Sequence, residues 1–321
     1  MIRSSWTLAA LSLVLASPLA VAQDWPNYGG GPARNGRSAL AGPSSAQLLW
    51  SNTTDFSLIS WHPFAENGRA FTVREAGFPA AGGSANDALL AYDVYTGAEL
   101  WRTSMSFGGD TTTEWIAWIG GVRDGQVYAS RSSNLKPQPM KAYSAATGAL
   151  IWTSTVATEA WAHDGVVFAD NGDIVVGDRL SLSRLDKNTG ATVWSVLRSC
   201  PVSGNCGAAA NATSLYIDEP AVGGNKITKI DLATGATLYS GPVMAGFTDQ
   251  NAPFLSPDGN TVYFSRTQNN ASVDFLYAYQ DTGTQFNLLW SRPVRWTTGH
   301  EHGIGADGSI YTFLSTNEFV R

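Results

Sequence analysis

Apolar and polar residues alternate along most of this chain in short runs, and glycine-containing pairs separate the runs. Five runs follow an Asn-Gly or Asp-Gly pair: "ENGRAFTV" from Glu66, "RDGQVYAS" from Arg123, "DNGDIVVG" from Asp170, "PDGNTVYF" from Pro257 and "ADGSIYTF" from Ala306. Alternation with a period of two is typical of half-buried strands, and these pairs favour the type I′ turn, in which both central residues have positive φ. Each run therefore predicts a β-hairpin.

A second hairpin follows each of these and carries Thr-Gly at its turn. Four such pairs precede an aromatic residue at a fixed distance: "TGAELW" from Thr96, "TGALIW" from Thr147, "TGATVW" from Thr189 and "TGATLY" from Thr234; a fifth pair begins at Thr282. The pairs recur about every 45 residues, and two hairpins per repeat make a four-stranded sheet, the signature of a propeller blade. Blade four lacks the Asn-Gly or Asp-Gly pair, and "NATSLYID" is expected to form a different turn there.

The two ends of the chain complete each other in this scheme. "QLLWSNTT", Gln47 to Thr54, has the pattern of a fourth strand, and "STNEFVR" stands where the third strand of a blade is expected. Pairing Leu48–Trp50 with Glu318–Val320 would complete a sixth sheet and remove the exposed edges. The predicted fold is an all-β propeller of four-stranded antiparallel blades, six in number, closed by mixed N- and C-terminal strands. A truncated propeller of seven or eight blades is the alternative.

The repeated aromatic residue is predicted to dock each blade onto the next. It falls at one position of the outermost strand in successive sheets, where a large ring buries much apolar area. A catalytic group is not needed six times around a ring. The predicted structural docking residues are Trp50, Trp101, Trp152, Trp194, Tyr239 and Trp290.

The N-terminus has the pattern of a secretory signal peptide. A single Arg precedes an apolar run from Leu8 to Leu19, and Ala20-Val21-Ala22 is the small-x-small pattern that a signal peptidase reads. We therefore expect a signal peptide over 1–22, an N-terminal segment over 23–46, and a single propeller domain over 47–321. The mature protein is expected to be secreted and extracellular, or periplasmic if the source is bacterial.

Composition narrows the classes of partner. The formal net charge is −6, 44% of the residues are hydrophobic and 14% are charged. The excess of acidic residues argues against nucleic acid as a partner, because phosphate backbones require a basic surface. After the signal, no apolar run approaches the roughly 20 residues of a membrane-spanning helix, so no membrane span is predicted. A monomer is expected.

Cys200 and Cys206, in "SCPVSGNCG", are the two cysteines of the chain. In an oxidising compartment they are predicted to form a disulfide that closes a small loop. A metal or redox role is the alternative, but no third thiol or adjacent His completes such a site.

The segments "LLAYDVYTGAELW" and "LSRLDKNTGATVW" resemble the docking repeat of the pyrroloquinoline-quinone (PQQ)-like propellers, and "DWPNYGGGPARNGRS" resembles a segment common at the start of bacterial and fungal members. The resemblance covers nearly the whole mature chain and implies the propeller fold. The family includes quinone-dependent dehydrogenases, assembly scaffolds and many secreted proteins. The dehydrogenases often place two adjacent cysteines against the quinone and hold Ca²⁺ with Glu, Asn and Asp, whereas Cys200 and Cys206 are not adjacent and no such ligand set matches here. We therefore expect no cofactor, with PQQ and Ca²⁺, or a zinc-type metal, as the alternatives.

Polar and aromatic residues recur at the start of the innermost strand of several blades. They are predicted to line the mouth of the central channel on the face with the longer loops, where propellers usually meet ligands. The candidate ligand-binding residues are Trp61, His62, Trp118, His163, Asp164, Gln250, Asn251, His300, Glu301 and His302. Polar residues that merely contact water in a wet channel are the alternative interpretation.

A metal site is a further hypothesis for the same mouth. His300 and His302 lie two residues apart on an expected strand, so their side chains point to the same side, and ring closure would bring His62 towards them. Three imidazoles with one open position are typical of a catalytic zinc site. The hypothesis requires that His62, His300 and His302 converge on one point.

The sequence thus predicts a binding scaffold that acts through its loop face and channel mouth, with a protein or carbohydrate as partner. The alternative function is enzymatic: a quinone-dependent sugar or alcohol oxidoreductase, or a metal-assisted polysaccharide-cleaving enzyme. No catalytic residue is assigned, since the chain has no Gly-x-Ser-x-Gly motif and no glycine-rich strand-to-helix turn.

Overall fold

In a computed structural model of the chain, the described residues contain twenty-three short strands in six antiparallel sheets. The structure describes residues 23–41, 45, 47–52, 64–74, 87–105, 116–132, 138–158, 166–178, 180–197, 208–244, 252–267, 273–295, 302–314, 316 and 318–321. The predicted signal peptide and the predicted Cys200–Cys206 disulfide lie outside these residues and stay predictions.

Each sheet is called a blade and contains strands that are consecutive in the chain. Blade 1 comprises β1 (Phe64–Glu66), β2 (Arg69–Arg74), β3 (Ala88–Asp93) and β4 (Glu99–Ser104). Blade 2 comprises β5 (Ile116–Arg123), β6 (Gln126–Ser132), β7 (Gln138–Ser144) and β8 (Leu150–Thr158). Blade 3 comprises β9 (Val167–Phe168), β10 (Ile174–Gly177), β11 (Ser181–Leu185) and β12 (Thr192–Leu197).

The C-terminal half repeats the arrangement. Blade 4 comprises β13 (Ala208–Ala210), β14 (Ser214–Ala221), β15 (Gly224–Asp231) and β16 (Thr237–Ser240). Blade 5 comprises β17 (Phe254–Leu255), β18 (Thr261–Thr267), β19 (Val273–Asp281) and β20 (Phe286–Arg295). Blade 6 has three strands within the described residues: β21 (Gly303–Ile304), β22 (Ile310–Phe313) and β23 (Phe319–Val320). The predicted all-β propeller of six blades is confirmed.

The hydrophobic core lies between the blades rather than within them. Five clusters of buried residues each combine side chains of two neighbouring blades, from blades 1 and 2 through to blades 5 and 6. The first strands of neighbouring blades contact each other, as β1 does β5 and β13 does both β9 and β17, so the first strands line the axis. Each blade is therefore stabilised mainly by its neighbours, as in other repeat proteins.

The docking residues show how neighbouring blades are joined. The indole N–H of Trp101 donates to the backbone carbonyl of Ala145 (3.0 Å), and that of Trp152 donates to the carbonyl of Lys187 (2.8 Å). Trp194 bonds the carbonyl of Leu232 (3.0 Å), and Trp50 bonds that of Val94 (2.8 Å). In all four cases the acceptor lies three residues before the glycine of a Thr-Gly turn in the following blade. We call this arrangement an indole–glycine joint.

The glycine of each joint lies directly against the indole. A Cβ on Gly97 or Gly148 would stand 2.5 Å from a ring carbon of Trp50 or Trp101, and one on Gly190 would stand 2.5 Å from Trp152. Since φ is also positive at these glycines, from +70° to +71°, both the space and the backbone require glycine. The Thr-Gly of one repeat and the Trp of the preceding repeat are thus two halves of one contact.

The tight turns of the first hairpins differ from the sequence prediction in three blades. Asn67 and Asp124 have φ of 50° and 54° and precede glycines with positive φ, as a type I′ turn requires. In blades 3, 5 and 6 positive φ occurs at the glycine alone. Gly172 N–H donates to Ala169 (2.9 Å), and Gly308 N–H donates to Gly305 (3.0 Å), so the prediction of type I′ turns was wrong for these longer loops. A longer loop begins as a type I turn and needs a single left-handed residue.

The segment that was predicted to complete blade 6 is held by its tryptophan. Residues 47–52 form no strand, and Leu48 and Leu49 are 79% and 70% exposed. The predicted ladder between Leu48–Trp50 and Glu318–Val320 is not among the strand pairings of the described residues, and a two-residue β23 offers few ladder bonds. Trp50 nevertheless forms the joint with blade 1, packing against Tyr92 and Gly97.

The indole–glycine joint predicts unequal effects of two glycine substitutions. Gly125 has φ of +77° but no atom within 4 Å of its would-be Cβ, whereas Gly190 has φ of +71° and lies under Trp152. We expect Gly125→Ala to lower the free energy of unfolding by roughly 1 to 2 kcal/mol through its backbone alone. Gly190→Ala should cost roughly 1 to 3 kcal/mol more, because the methyl group overpacks the joint. Urea unfolding measures both, and equal losses would contradict the joint.

Candidate functional site

Residues 24–36 pass along the centre of the disc and are called the axial segment. Its hydrogen bonds reach all six blades in order. The bonds are Trp25 N–H to Ala65 O (2.7 Å), Val122 N–H to Pro26 O (2.6 Å), Asn27 Nδ2 to Val166 O (3.2 Å), Ala210 N–H to Pro32 O (2.8 Å), Leu255 N–H to Ala33 O (2.9 Å) and Ile304 N–H to Asn35 O (2.9 Å). The axial segment therefore ties the first strand, or the residue beside it, of every blade to one peptide.

The glycine cluster of this segment explains its shape. Gly29, Gly30 and Gly36 have φ of 83°, 81° and 63°, and Arg34 has φ of 50°. A Cβ on Gly29 would lie 2.8 Å from the backbone of Arg34, so the chain folds back on itself there. Gly36 N–H donates to Gly29 O (2.9 Å) across the bend. The cluster "YGGGPARNG" thus permits a compact curl small enough for the axis.

The axial segment buries three polar side chains, although most of its residues are only partly buried. Asn27 and Arg34 are both 0% exposed, and Tyr28 is 7% exposed. Its bonding partners Ala65, Val122, Ala210, Leu255 and Ile304 are each the last or next-to-last residue of a first strand. The segment therefore closes the central channel near the end at which each first strand turns into the second.

The connections from one blade to the next lead to the opposite end of the channel. In an antiparallel blade, the first and third turns lie on one face, called the turn face, and the other connections lie on the opposite face, called the loop face. The chain enters the first strands from 53–63, 106–115, 159–165, 198–207, 245–251 and 296–301, all outside the described residues. Of the predicted mouth residues, Trp61, His62, His163, Asp164, Gln250, Asn251, His300 and Glu301 fall in these connections, and their role stays a prediction.

Trp118 is described, and it does not lie at an open mouth. Its side chain is 6% exposed and packs with Tyr128, Met140 and Val166 in the cluster between blades 2 and 3. It lies within β5, where the strand face towards blade 3 is covered. In this structure Trp118 is a packing residue rather than a surface for ligand.

His302 is described as well and lies between blades 5 and 6. It is 6% exposed, and its ring stacks on Phe254 with centroids 5.3 Å apart and an interplanar angle of 20°. Nδ1 lies 2.8 Å from Thr312 Oγ1, and Nε2 is buried with no hydrogen-bond partner among the described residues. Burial lowers the pKa of His302 to about 4, so the ring is neutral at pH 7.

This placement limits the metal hypothesis. Because Nδ1 faces Thr312, His302 has only Nε2 left with which to bind a metal. His62 and His300 lie outside the described residues, so their convergence on that atom stays a prediction. In the described part of the chain, no three His, Cys, Asp or Glu side chains are grouped so as to hold a metal ion.

The family resemblance raises the possibility of a quinone cofactor. A quinone does not fit the described part of the channel. The axial segment occupies the space between the first strands there, and its Asn27 and Arg34 are fully buried. The expectation that no cofactor binds elsewhere stays a prediction.

A polar joint between blades 4 and 5 was missed by the sequence analysis. Asp281 Oδ2 accepts hydrogen bonds from Tyr216 OH (2.6 Å) and pairs with Lys229 Nζ (2.7 Å), and Oδ1 accepts one from Tyr239 OH. Burial opposes ionisation of Asp281, but the bonds from Lys229 and both tyrosines hold its pKa below the ordinary value. Burial and the neighbouring carboxylate raise the pKa of Tyr216 and Tyr239.

The sequence did carry a signal for this joint. Tyr239 stands where the other repeats have Trp, and Asp281 directly precedes its Thr-Gly pair. In three of the other four turns an aspartate lies three residues before Thr and binds it, as Asp186 binds Thr189, and in the blade 2 turn Ser144 takes that place. Moving the carboxylate closer to the glycine places it under the tyrosine of blade 4. Nothing lies within 4 Å of a Cβ built on Gly283, so this joint does not depend on glycine contact.

Comparison with known proteins identifies the family. The family model described as "Outer membrane protein assembly factor BamB", a PQQ-type repeat, matches residues 85–320, more than half of the chain. The chain belongs to this family of PQQ-like repeat propellers. A search of curated proteins found no match.

Solved propeller structures are similar to this PQQ-like chain at low identity. The C-terminal WD40 domain of Sif2 has a TM-score of 0.52 and 10% identity over 79% of this chain and 65% of that chain. BamB from Moraxella catarrhalis has a TM-score of 0.46 and 14% identity over 83% of this chain and 87% of that chain. The Dos1 propeller has a TM-score of 0.47 and 12% identity over 76% and 64%. The chain thus spans less than two thirds of the Sif2 and Dos1 chains, and the Sif2 likeness supports the fold alone.

The described residues contain no helix with the length and apolar character to span a membrane.

The geometry of the axial segment predicts that substitutions at Gly29 and Gly31 have different effects. Gly29→Ala places a Cβ 2.8 Å from the Arg34 backbone, whereas a Cβ at Gly31 meets nothing within 4 Å. We expect Gly29→Ala to speed hydrogen exchange of the Val122, Ala210, Leu255 and Ile304 amides on the order of tenfold or more, because all four donate to the axial segment. Gly31→Ala should leave them unchanged. Exchange that rises at one of the four amides alone would show that the segment does not act as a unit.

Because His302 is buried as a neutral ring, we expect the free energy of unfolding to fall at acid pH. Its folded pKa of about 4 lies below its ordinary value of 6.5, so the unfolded chain binds the proton first. The stabilisation by the neutral ring is complete above pH 6.5 and is lost as the pH falls towards 4, by about 3 kcal/mol. His302→Gln should be less stable at pH 7 but show a shallower fall in unfolding free energy between pH 6.5 and 4. Parallel pH profiles for the two proteins would refute a depressed pKa.

Proposed function

We propose that this protein is a secreted interaction scaffold that binds a partner protein on its loop face. The observation that carries the proposal is the axial segment. It closes the channel near the turn face and bonds to all six blades, so a partner can enter the centre of the disc only from the loop face.

The composition of the connections supports binding on that face. Trp61, Trp115, Trp161 and Trp296 all fall in segments that lead into first strands. Tryptophan is enriched among the residues that contribute most to protein interfaces, because it buries a large rigid surface and keeps one donor. The same rings also stack on sugars, so a carbohydrate is the other ligand class for this face. The description of the family model as an assembly factor favours a protein.

The expected secretion rests on the N-terminal pattern over 1–22. Export places the loop face among secreted or periplasmic proteins, and the acidic net charge of −6 favours a neutral or basic partner surface over nucleic acid.

The test compares the two faces of the disc. A Trp61→Ala, Trp161→Ala double variant changes two residues of the connections that this proposal assigns to the loop face, and Tyr95→Ala removes a 50% exposed ring from a turn on the other face. A partner purified on wild-type protein from the secreted fraction of the native host should bind the double variant at least about tenfold more weakly, as truncated hot spots do. It should bind Tyr95→Ala with unchanged affinity.

Three outcomes would contradict the proposal. Loss of binding in Tyr95→Ala would move the interface to the turn face. Binding to a glycan array with no protein partner would assign the face to carbohydrate. A quinone absorbance band, or a stoichiometric metal, in protein secreted by its native host would favour the enzymatic alternative.

A further inference from the structure

A polar cavity of about 350 Å³ lies between blades 1 and 2, and no residue of a first strand lines it. It opens where the pairing of β6 with β7 ends at Ala129 and Lys141, although β6 continues to Ser132 and β7 begins at Gln138. The register of β8 against β7 also shifts between Pro139 and Lys141. The strands of blade 2 thus separate at one level, which leaves room beside the outermost strand of blade 1.

The charged side chains that line the cavity are both basic, namely Arg131 and Lys141. Arg131 Nη1 lies 3.0 Å from Oδ2 of the fully buried Asp87 and donates to the carbonyl of Met105 (3.0 Å). The guanidinium therefore balances the charge of Asp87. In the described part of the chain Lys141 forms no ion pair, so its ammonium group gives the cavity a net positive charge.

Lys141 has no charged counterpart in blades 1, 3, 4 and 5. It directly precedes Ala142, which pairs with the docking residue Trp152. The residues at the same place in those blades are Leu90, Ser183, Thr228 and Tyr277. The hydroxyls of Ser183 and Thr228 bond to the outermost strand of their own blades instead. The architecture of a blade therefore does not require a lysine at this position.

Tyr143 adds a buried donor to the same cavity. Its side chain is 5% exposed and lies two residues from Lys141, on the same face of β7. It makes no hydrogen bond to the described residues, and burial raises the pKa of its hydroxyl, so the group is neutral and can donate. Since buried hydroxyls normally have a partner, an acceptor within the cavity would complete the contact.

We propose that this cavity binds a sugar acid, a monosaccharide whose carboxylate lies against Lys141 and accepts a hydrogen bond from Tyr143. A single unbalanced positive charge matches the single charge of a carboxylate better than a phosphate monoester, which carries about −1.5 to −2 at pH 7. The volume lies within the range of roughly 300 to 1,000 Å³ that is usual for small-molecule sites, and a bare anion would leave most of it empty.

The remaining polar wall fits the hydroxyl groups of a sugar. Ser130 Oγ donates to the carbonyl of Pro139 (3.0 Å) and can still accept from a ligand hydroxyl. Gln138 also lines the cavity, and its amide offers both donors and an acceptor. The inference does not depend on the proposed protein partner, because the cavity is lined by strand residues and their direct neighbours rather than by the connections that carry the tryptophans.

The probe is sodium D-galacturonate, which is titrated into the full chain by isothermal calorimetry, with D-galactose and inorganic phosphate as comparison ligands. We expect galacturonate to bind in the millimolar range or more tightly. Galactose should bind at least about tenfold more weakly, because it lacks the charge-assisted contact with Lys141. Phosphate should also bind at least about tenfold more weakly, because it makes no contact with the sugar-binding wall. Raising the salt concentration from about 20 to 500 mM should weaken galacturonate binding.

Three variants test the assigned contacts. Lys141→Gln should weaken galacturonate binding at least about tenfold and leave the unfolding midpoint close to that of the wild type, since neutral residues occupy this position in other blades. Tyr143→Phe keeps the ring but removes the donor, and should weaken binding about two- to tenfold. Lys226→Gln removes a partly buried lysine from the third strand of blade 4 and should leave binding unchanged.

Four results would overturn the proposal. The first is the absence of a binding heat at millimolar galacturonate. Equal binding of galactose would show that the carboxylate is not recognised, and equal binding of inorganic phosphate would assign the cavity to a bare anion. Unchanged affinity in Lys141→Gln would place the sugar acid elsewhere on the protein.

Discussion

A tryptophan ring can lie flat against a backbone only where the backbone carries no side chain. This single constraint organises the propeller. The indoles of Trp50, Trp101, Trp152 and Trp194 each lie on the glycine of a turn in the next blade and donate to a carbonyl three residues before it. The contact combines burial of a large ring with a satisfied donor, so it fixes both the distance and the rotation between neighbouring blades. The joints thereby align the strands of neighbouring blades.

The joints act at the rim of the disc, and the axial segment acts at its centre. The first strand of each blade would otherwise expose an unpaired edge to the channel, and unpaired edges are prone to association with other chains. Pro26, Pro32, Ala33 and Asn35 supply carbonyls that accept from first strands of four blades. A segment with three left-handed glycines can bend sharply enough to reach all of the blades within the narrow axis. Rim and centre together join the described blades without a continuous sheet.

The two joints that depart from the pattern are the places where the ring carries different chemistry. Between blades 4 and 5, Tyr239 and Asp281 replace the indole and the glycine contact with a buried cluster that includes Lys229. Its ion pair has side chains 12% and 5% exposed, so removal of either partner would leave the other as an unpaired, largely buried group. Between blades 5 and 6, Trp290 keeps the indole but faces a cavity. Repetition makes both departures visible, because the other joints define the usual contact.

The sequence by itself determined the hairpins, the number of sheets and the four tryptophans that form indole–glycine joints. These features depend on turn residues and on spacing within one repeat, which local sequence specifies. Even so, the Asp-Gly pairs did not determine turn length: Gly172 and Gly308 lie in longer loops than Gly125, although all three follow Asn or Asp. Trp118 and His302 were predicted at a channel mouth from their position before the turns, and both are buried between blades.

Only the tertiary structure decided which side chains meet across the ring. The curl of the axial segment, the neutral His302 against Phe254 and the carboxylate of Asp281 beneath Tyr239 each join residues from different blades. Their positions depend on the angle between blades, which the joints set only after the whole ring has closed. The periodic pattern is a property of each single repeat. The contacts between blades depend instead on residues that differ from one repeat to the next. Those residues meet only when the repeats are packed together.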